Sequence, residues 1–116
     1  MISRIWHGWT TPANADDYEA LLKSEIFVGI SERDMPGYHG IQLFRRNVDD
    51  EVEFITVMYF ESIESVRIFV GEDPKGPISL DDKGYEACVV PPSARKVLNR
   101  FDERSQHYEV RVEKAA

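Results

Sequence analysis

The chain has 116 residues, a net charge of −7 and a single cysteine, Cys88. This length suits one domain with one hydrophobic core, and the acidic balance argues against non-specific attraction to nucleic acid or to an anionic membrane. One cysteine excludes an internal disulfide and a cysteine-based zinc site, and the absence of a signal peptide and of a long apolar run predicts a cytoplasmic protein.

Turn residues and hydrophobic periodicity divide the chain into strands and helices. The first helix is well marked, because the hydroxyl of Thr11 can cap its start and Pro12 needs no hydrogen bond at the first helical position. Apolar side chains then recur every three or four residues, until Pro36 disfavours helical geometry. In chain order we predict a strand at 2–10, a helix at 12–34, strands at 38–48 and 52–60, a helix at 62–71, a short helix at 93–99 and a strand at 101–112.

This order of elements is typical of one fold class. It is the split βαβ pattern, so we predict a single α+β domain over 1–116 with the ferredoxin-like order βαββαβ and a four-stranded antiparallel sheet. Residues 71–84 contain three glycines and two prolines among few apolar side chains, and they predict an exposed loop insertion. Such a loop is either a lid over a site or a tolerated extension.

The sheet needs cover on both of its faces. The predicted helices cover one face, yet the strand at 52–60 carries apolar residues at both odd and even positions, as a strand buried on both faces does. An uncovered apolar face of this size exceeds what monomers usually expose. We therefore expect a homodimer in which two sheets pack face to face and the long last strand reaches toward the partner.

Four short stretches carry a family resemblance. They are Arg4-Ile5-Trp6, Pro36-Gly37-Tyr38, Met58-Tyr59-Phe60-Glu61-Ser62 and His107-Tyr108-Glu109-Val110. Together they resemble the antibiotic biosynthesis monooxygenase superfamily, whose members are dimeric α+β barrels, over nearly the whole chain outside 71–84. The resemblance implies a small-molecule pocket between the sheet and the helices of each protomer. Some members oxygenate aromatic polyketides without metal or flavin, others degrade haem, and others have no assigned activity.

Two branches of the superfamily use residue sets that this chain lacks. The quinone-forming branch has an Asn and a Trp around the third strand and second helix, whereas 59–72 contains neither. The haem-degrading branch has an Asn on strand one and a His and a Trp on its helices, whereas 2–10 has no Asn and 62–99 has no His or Trp. The resemblance therefore implies the pocket but not a known set of catalytic side chains.

The candidate catalytic residues are His7, His107 and Tyr59. His7 and His107 lie on the first and last strands, which are neighbours in this fold, so we expect their imidazoles to approach each other or share a pocket. An imidazole can take a proton near neutral pH, and the phenolate or enolate that results reacts with oxygen directly. Tyr59 can donate a hydrogen bond to a phenol or quinone oxygen. Half-buried structural roles are the alternative for all three.

The candidate substrate-binding residues are Trp6, Trp9, Arg45, Phe69 and Tyr85. Trp6 and Trp9 point to opposite faces of their strand, so one is expected in the pocket and the other in the dimer core. Arg45 shares parity with neighbouring apolar residues and is a candidate inward cation that steadies an anionic intermediate. An ion pair with Glu51 or Glu53 is the alternative for Arg45.

These features together predict an enzyme as the main hypothesis. It is a cofactor-independent monooxygenase-like enzyme that oxidises a small aromatic or enolisable substrate in a sheet–helix pocket, without a metal. The first alternative is a non-catalytic dimeric small-molecule-binding or stress-related protein of the same fold, and the second is haem binding or degradation. Nucleotide-binding, zinc-protease and thiol-redox motifs are absent from the sequence.

Overall fold

The computed structural model describes residues 1–32, 34–71, 92–102 and 104–116. The predicted insertion at 71–84, beyond its first residue, and the predicted ligand residue Tyr85 lie outside these ranges. In chain order the elements are β1 (Ile2–Thr10), α1 (Pro12–Leu21), a π-helical turn (Leu22–Ile26), α2 (Phe27–Ser31), β2 (Tyr38–Val48), β3 (Glu51–Phe60), α3 (Ile63–Gly71), α4 (Pro92–Arg95), β4 (Arg100–Phe101) and β5 (Gln106–Glu109).

The strands form an antiparallel sheet in the order β2-β3-β1-β4, with β5 also pairing with β1. Strand β1 is central, since it pairs along its whole length with β3 and on its other side with β4 and then β5. The hairpin between β2 and β3 turns at Asp49, which has a φ of 55°, a left-handed conformation that Asp tolerates better than most residues. The predicted α+β class and antiparallel sheet are confirmed.

The last strand differs from the prediction of one continuous strand over 101–112. Strand β4 ends at Phe101, and β5 runs only from Gln106 to Glu109. At this interruption the carboxylate of Asp102 accepts the backbone N–H of His7 at 2.9 Å, so a side-chain oxygen stands where a backbone carbonyl would continue the ladder. The interruption therefore coincides with a long-range contact between the side chain of Asp102 and β1.

Both long helical segments begin as their sequences indicate. The hydroxyl of Thr11 accepts the N–H of Asn14 at 3.2 Å, and Pro12 opens α1. The hydroxyl of Ser62 accepts the N–H of Ser65 at 3.3 Å before α3. Each cap satisfies a backbone donor that the first helical turn leaves without a partner.

The helices cover one face of the sheet, which we call the helix face. Two apolar clusters pack there, one centred on Tyr18 and Phe54, whose rings meet edge-on at 4.9 Å, and one centred on Phe60 and Val66. The helical segment after the π turn bridges the clusters, because Phe27 packs against the first and Ile30 packs against the second. Among the described residues, none of the helices has both the length and the apolar character that crossing a membrane requires.

The other side of the sheet, which we call the open face, carries the odd-numbered residues of β1 and β3. Ile5 and Ile55 are half-buried there, while Phe44 on β2 and Tyr108 on β5 are 47% and 55% exposed. Within one protomer, these apolar side chains have no helix over them in the described part of the chain.

Candidate functional site

A buried arginine and a histidine face each other on the helix face. Arg4 on β1 lies opposite His107 on β5, and Nη1 of Arg4 is 2.9 Å from Nε2 of His107. Because a guanidinium can only donate, Nε2 accepts this bond and the imidazole carries its proton on Nδ1. Arg4 is 7% exposed, and its guanidinium lies 5.5 Å from the ring centre of Phe69 on α3. The pair is thus a buried guanidinium hydrogen-bonded to an imidazole on the neighbouring strand.

The pair lies between the two apolar clusters. On the same face of β1, Ile2 precedes Arg4 and belongs to the cluster of Phe60, while Trp6 follows Arg4 and packs against the cluster of Phe54. The indole N–H of Trp6 donates to the backbone carbonyl of Asp102 at 2.9 Å, which fixes the ring. A flat ligand at this position would meet aromatic rings and one positive charge.

The predicted inward cation, Arg45, has a different environment. It faces the helices, as its parity indicates, but its guanidinium donates to Asp16 at 2.9 Å and to Glu19 at 3.1 Å at the margin of the sheet. These carboxylates raise the pKa of Arg45, and hydrogen bonds from Lys23 and then Arg45 lower the pKa of Glu19. The charge of Arg45 is therefore engaged on α1, whereas Arg4 lies at the buried position between the clusters.

The ion pairs expected for Arg45 as an alternative are made by two other arginines. Arg46 donates to Glu53 at 2.6 Å, and Arg100 donates to Glu51 at 2.9 Å. Both pairs lie at the end of the sheet where the β2–β3 hairpin turns. The two carboxylates on β3 therefore do form ion pairs with arginines, but neither of these arginines is Arg45.

His7 does not share a pocket with His107, and that expectation is wrong. The register places Arg4 opposite His107, so His107 shares the helix face with the even-numbered residues of β1, while His7 projects from the open face. Nδ1 of His7 is 2.6 Å from Oδ2 of Asp102, and the same oxygen accepts the side-chain N–H of Gln106 at 3.2 Å. The two histidines therefore belong to two separate polar groups.

The other predicted residues divide between the two faces. Trp6 and Phe69 lie on the helix face with His107, and Trp9 lies on the open face, so the opposite orientation of the two tryptophans is confirmed. Tyr59 also lies on the open face, where its hydroxyl donates to Gln42 at 2.8 Å. The structure thus does not bring Tyr59 to the Arg4–His107 pair.

Sequence reasoning missed Arg4 and Asp102. The available signal for Arg4 was a charged residue at an even position of β1 between Ile2 and Trp6, where the neighbours on that face are apolar. Asp102 carried no local signal, since its carboxylate reaches a histidine far away in the sequence. Within the described ranges, no three His, Cys, Asp or Glu side chains are grouped as a metal site requires.

An antiparallel sheet with helices on one face defines an α+β fold that several solved structures share. A crystal structure from Bacillus cereus, provisionally named an antibiotic biosynthesis monooxygenase, aligns with 99% of this chain and 97% of its own at 13% identity and a TM-score of 0.65. The heme-degrader MhuD from Mycobacterium tuberculosis, with two hemes bound in its active site, aligns over 99% of this chain and 100% of its own at 20% identity and a TM-score of 0.57.

A point mutant of MhuD with two manganese protoporphyrin IX molecules per active site aligns over 100% of both chains, at 22% identity and a TM-score of 0.56. No family model and no curated protein matches the sequence. At these identities the structures share a fold with this chain, and the resemblance found in the sequence is confirmed at that level.

The Arg4–His107 pair does not fit a haem-iron ligand. Nε2 of His107 accepts the hydrogen bond from Arg4, and Nδ1 carries the proton, so the imidazole as placed offers no lone pair to a metal. A guanidinium is a group that binds an anionic oxygen well, because its N–H donors carry a positive charge.

Proposed function

We propose that the chain is a cofactor-independent monooxygenase-like enzyme that oxidises a small aromatic or enolisable molecule between its sheet and its helices. The observation that supports this proposal is the pairing of the buried Arg4 with the half-buried His107 between two apolar clusters. A positive charge in an apolar setting favours the ionised form of a phenol or enol bound beside it. The resulting anion is electron-rich and reacts with oxygen directly.

Each residue of the pair has a distinct role in this proposal. Arg4 stabilises the phenolate or enolate, and His107 holds the guanidinium in place by accepting a hydrogen bond from its Nη1. Trp6 and Phe69 contact the rings of the substrate and keep water away from the anion. When a ring CH₂ group becomes a carbonyl, one O₂ is consumed, one of its oxygen atoms stays on the carbon and the other leaves as water.

We propose further that the protein acts as a homodimer whose open faces pack together. The exposed Phe44 and the half-buried Ile5 and Ile55 support this arrangement, because a second sheet would cover them. Light scattering coupled to size-exclusion chromatography tests it. A mass of twice the chain is expected, and a monomer at every concentration would contradict the proposal.

Oxygen uptake by metal-free protein tests the proposed activity. We expect at least one compound from a panel of reduced quinones and polyphenols to be consumed with one O₂ per molecule and without accumulation of hydrogen peroxide. Arg4→Gln keeps a donor for His107 but removes the charge, and loss of such a stabilising group lowers rates by about 10²–10³-fold. His39→Gln is the matched control, because His39 is exposed on β2.

Two results decide between activity and binding. Uptake that is equal in wild type and in folded Arg4→Gln would contradict the assignment of the cation. A panel compound that binds without any uptake would support the non-catalytic small-molecule-binding alternative.

Haem binding is the competing assignment, because both MhuD structures contain porphyrins in their active sites. The placement of His107 argues against it, since neither ring nitrogen offers a lone pair to iron. Titration with haemin is therefore expected to leave the Soret band unshifted. A saturable shift that is lost in His107→Phe would favour the haem assignment.

A further inference from the structure

We propose that Gly8 is a specificity-determining residue, because it makes room for the outer ring of Trp6 and thereby keeps the helix face beside Arg4 clear for the substrate. This role rests on the function proposed above and deepens it, since Gly8 then sets the size of the aromatic molecule that fits beside the guanidinium. Gly8 has no side chain to contact the substrate, and it acts through the position of the indole.

The first support is the close approach between Trp6 and Gly8, which is buried on the helix face of β1. A Cβ atom added to Gly8 would lie 2.9 Å from Cη2 and 3.0 Å from Cζ3 of Trp6. Two carbon atoms attract each other at about 3.5–4.0 Å and repel each other at shorter separations. The six-membered ring of Trp6 therefore occupies the space that a side chain at position 8 would need.

The second support is the direction in which the indole extends. Arg4 and Gly8 lie two residues to either side of Trp6, each about 6.5 Å away along the strand. Because the far edge of the indole reaches Gly8, the ring leans toward the end of β1 that carries Thr10 and away from Arg4. Phe69, in contrast, lies 5.5 Å from the guanidinium. The outer ring of Trp6 is thus kept out of the position that the proposed substrate occupies.

The third support is that the neighbours of the indole on its other sides are fixed. Its N–H donates to the backbone carbonyl of Asp102 at 2.9 Å, and Cδ2 of Leu98 would lie 3.0 Å from the same added Cβ. Two backbone hydrogen bonds tie this segment to β1, one from Asn99 to Trp9 at 2.7 Å and one from Asp102 to His7 at 2.9 Å. A displaced ring therefore moves toward the part of the face where the substrate is expected.

Replacing Gly8 by alanine should therefore change the binding site as well as the packing. The new methyl group displaces the ring of Trp6 toward Arg4, and the hydrogen bond from the indole to Asp102 lengthens or breaks. A molecule with two fused rings then loses more affinity than a molecule with one ring, because the smaller molecule fits in the space that remains. Gly8 thus sets an upper limit on the size of the substrate.

Binding of 2-naphthol and of phenol to the full-length protein in the absence of oxygen tests this role. Both probes carry the ionisable hydroxyl group that the proposed function requires, and they differ by one ring. By NMR titration, we expect Gly8→Ala to weaken binding of 2-naphthol by about 10–200-fold, the range for one methylene group in an apolar pocket, and to weaken binding of phenol less. Gly29→Ala is the matched control, since Gly29 has open space around it, and it should leave both dissociation constants unchanged.

The indole N–H signal of Trp6 reports on the geometry without any ligand. We expect this NMR signal to shift in Gly8→Ala, because the hydrogen bond to Asp102 changes, and to stay in place in Gly29→Ala. A Trp6 signal at the wild-type position in folded Gly8→Ala would overturn the proposed role, since the ring would then not have moved.

A double variant separates displacement of the indole from a general loss of folding. Phenylalanine lacks the outer ring that reaches position 8, so Gly8→Ala should alter binding of 2-naphthol little when it is made in a Trp6→Phe background. Leu98 still has to move, but its Cδ2 is the end of a flexible side chain. An equal loss of binding in both backgrounds would overturn the role. If Gly8→Ala alone does not fold, folding of the double variant would support the role, and failure of both to fold would overturn it.

The role of Gly8 and the oxygenation can fail separately. Absence of 2-naphthol binding to wild type, or an equal loss for both probes in Gly8→Ala, would overturn the role of Gly8. The oxygenation is decided by oxygen uptake with the whole panel of reduced quinones and polyphenols. Binding of 2-naphthol that depends on Gly8, without uptake of oxygen, would support the role of Gly8 in a non-catalytic binding protein.

Discussion

Phe54 and Phe44 lie on neighbouring strands and face opposite sides of the sheet, so the same substitution at both positions separates the two faces. Phe54 is fully buried and packs edge-on against Tyr18. Replacing it by alanine should cost about 3–5 kcal/mol, the usual loss for a core phenylalanine. Phe44 is 47% exposed. Because full burial of such a side chain contributes about 1.5–3 kcal/mol, Phe44→Ala should cost a single protomer only about 1 kcal/mol.

Thermal unfolding followed by circular dichroism measures both effects. For a chain of this size, 1 kcal/mol corresponds to about 4 °C, so Phe54→Ala should lower Tm by about 12–20 °C at every protein concentration. Phe44→Ala should lower Tm by only about 4 °C in dilute protein, and it should remove the rise of Tm with concentration that a dimer produces. Equal losses of Tm for the two variants in dilute protein would refute the assignment of the two faces.

Two further predictions concern backbone conformation and pH. Gly37 has a φ of +80°, and a Cβ there would collide with Ser65. Gly37→Ala should therefore lower the free energy of unfolding, measured in urea, by more than about 1 kcal/mol. Gly29 has open space around it, so the control Gly29→Ala should raise the free energy of unfolding by about 0.5–1 kcal/mol. The hydrogen bond from Arg100 lowers the pKa of Glu51. The contribution of this ion pair to stability is therefore present above the ordinary pKa of about 4.3 and is lost as the pH falls through the lower folded-state pKa. In Arg100→Gln, the pKa of Glu51 measured by carboxyl NMR titration should return to its ordinary range.

Local chemistry made most element boundaries predictable. Thr11 and Ser62 cap helices because a hydroxyl at that position satisfies a backbone donor nearby, and the turn at Asp49 needs only residues that are adjacent in the sequence. The interruption of the last strand was not predictable in this way. It depends on a contact between His7 and Asp102, which are 95 positions apart. Nor did a 3.6-residue periodicity distinguish the π turn at Leu22–Ile26 from a regular helix.

The division of the candidate site between two faces has a similar explanation. Within one strand, the two-residue period correctly put Trp6 and Trp9 on opposite sides. Between strands, the face of His107 depends on its register with β1, and a shift by one residue would move it to the other face. The sequence contains no feature that sets this register, because the pairing of Arg4 with His107 is itself a tertiary contact.

The oxygenation proposal depends on a substrate binding at the helix face, and the two tryptophans report on that directly. Trp6 lies on the helix face and Trp9 on the open face, so their two indole N–H signals in an NMR spectrum distinguish the faces. A Trp9→Phe variant assigns the signals. We predict that the best substrate from the oxygen-uptake panel, added without oxygen, shifts the signal of Trp6 and leaves that of Trp9 in place. A saturable shift of Trp9 alone would contradict binding at the Arg4–His107 pair.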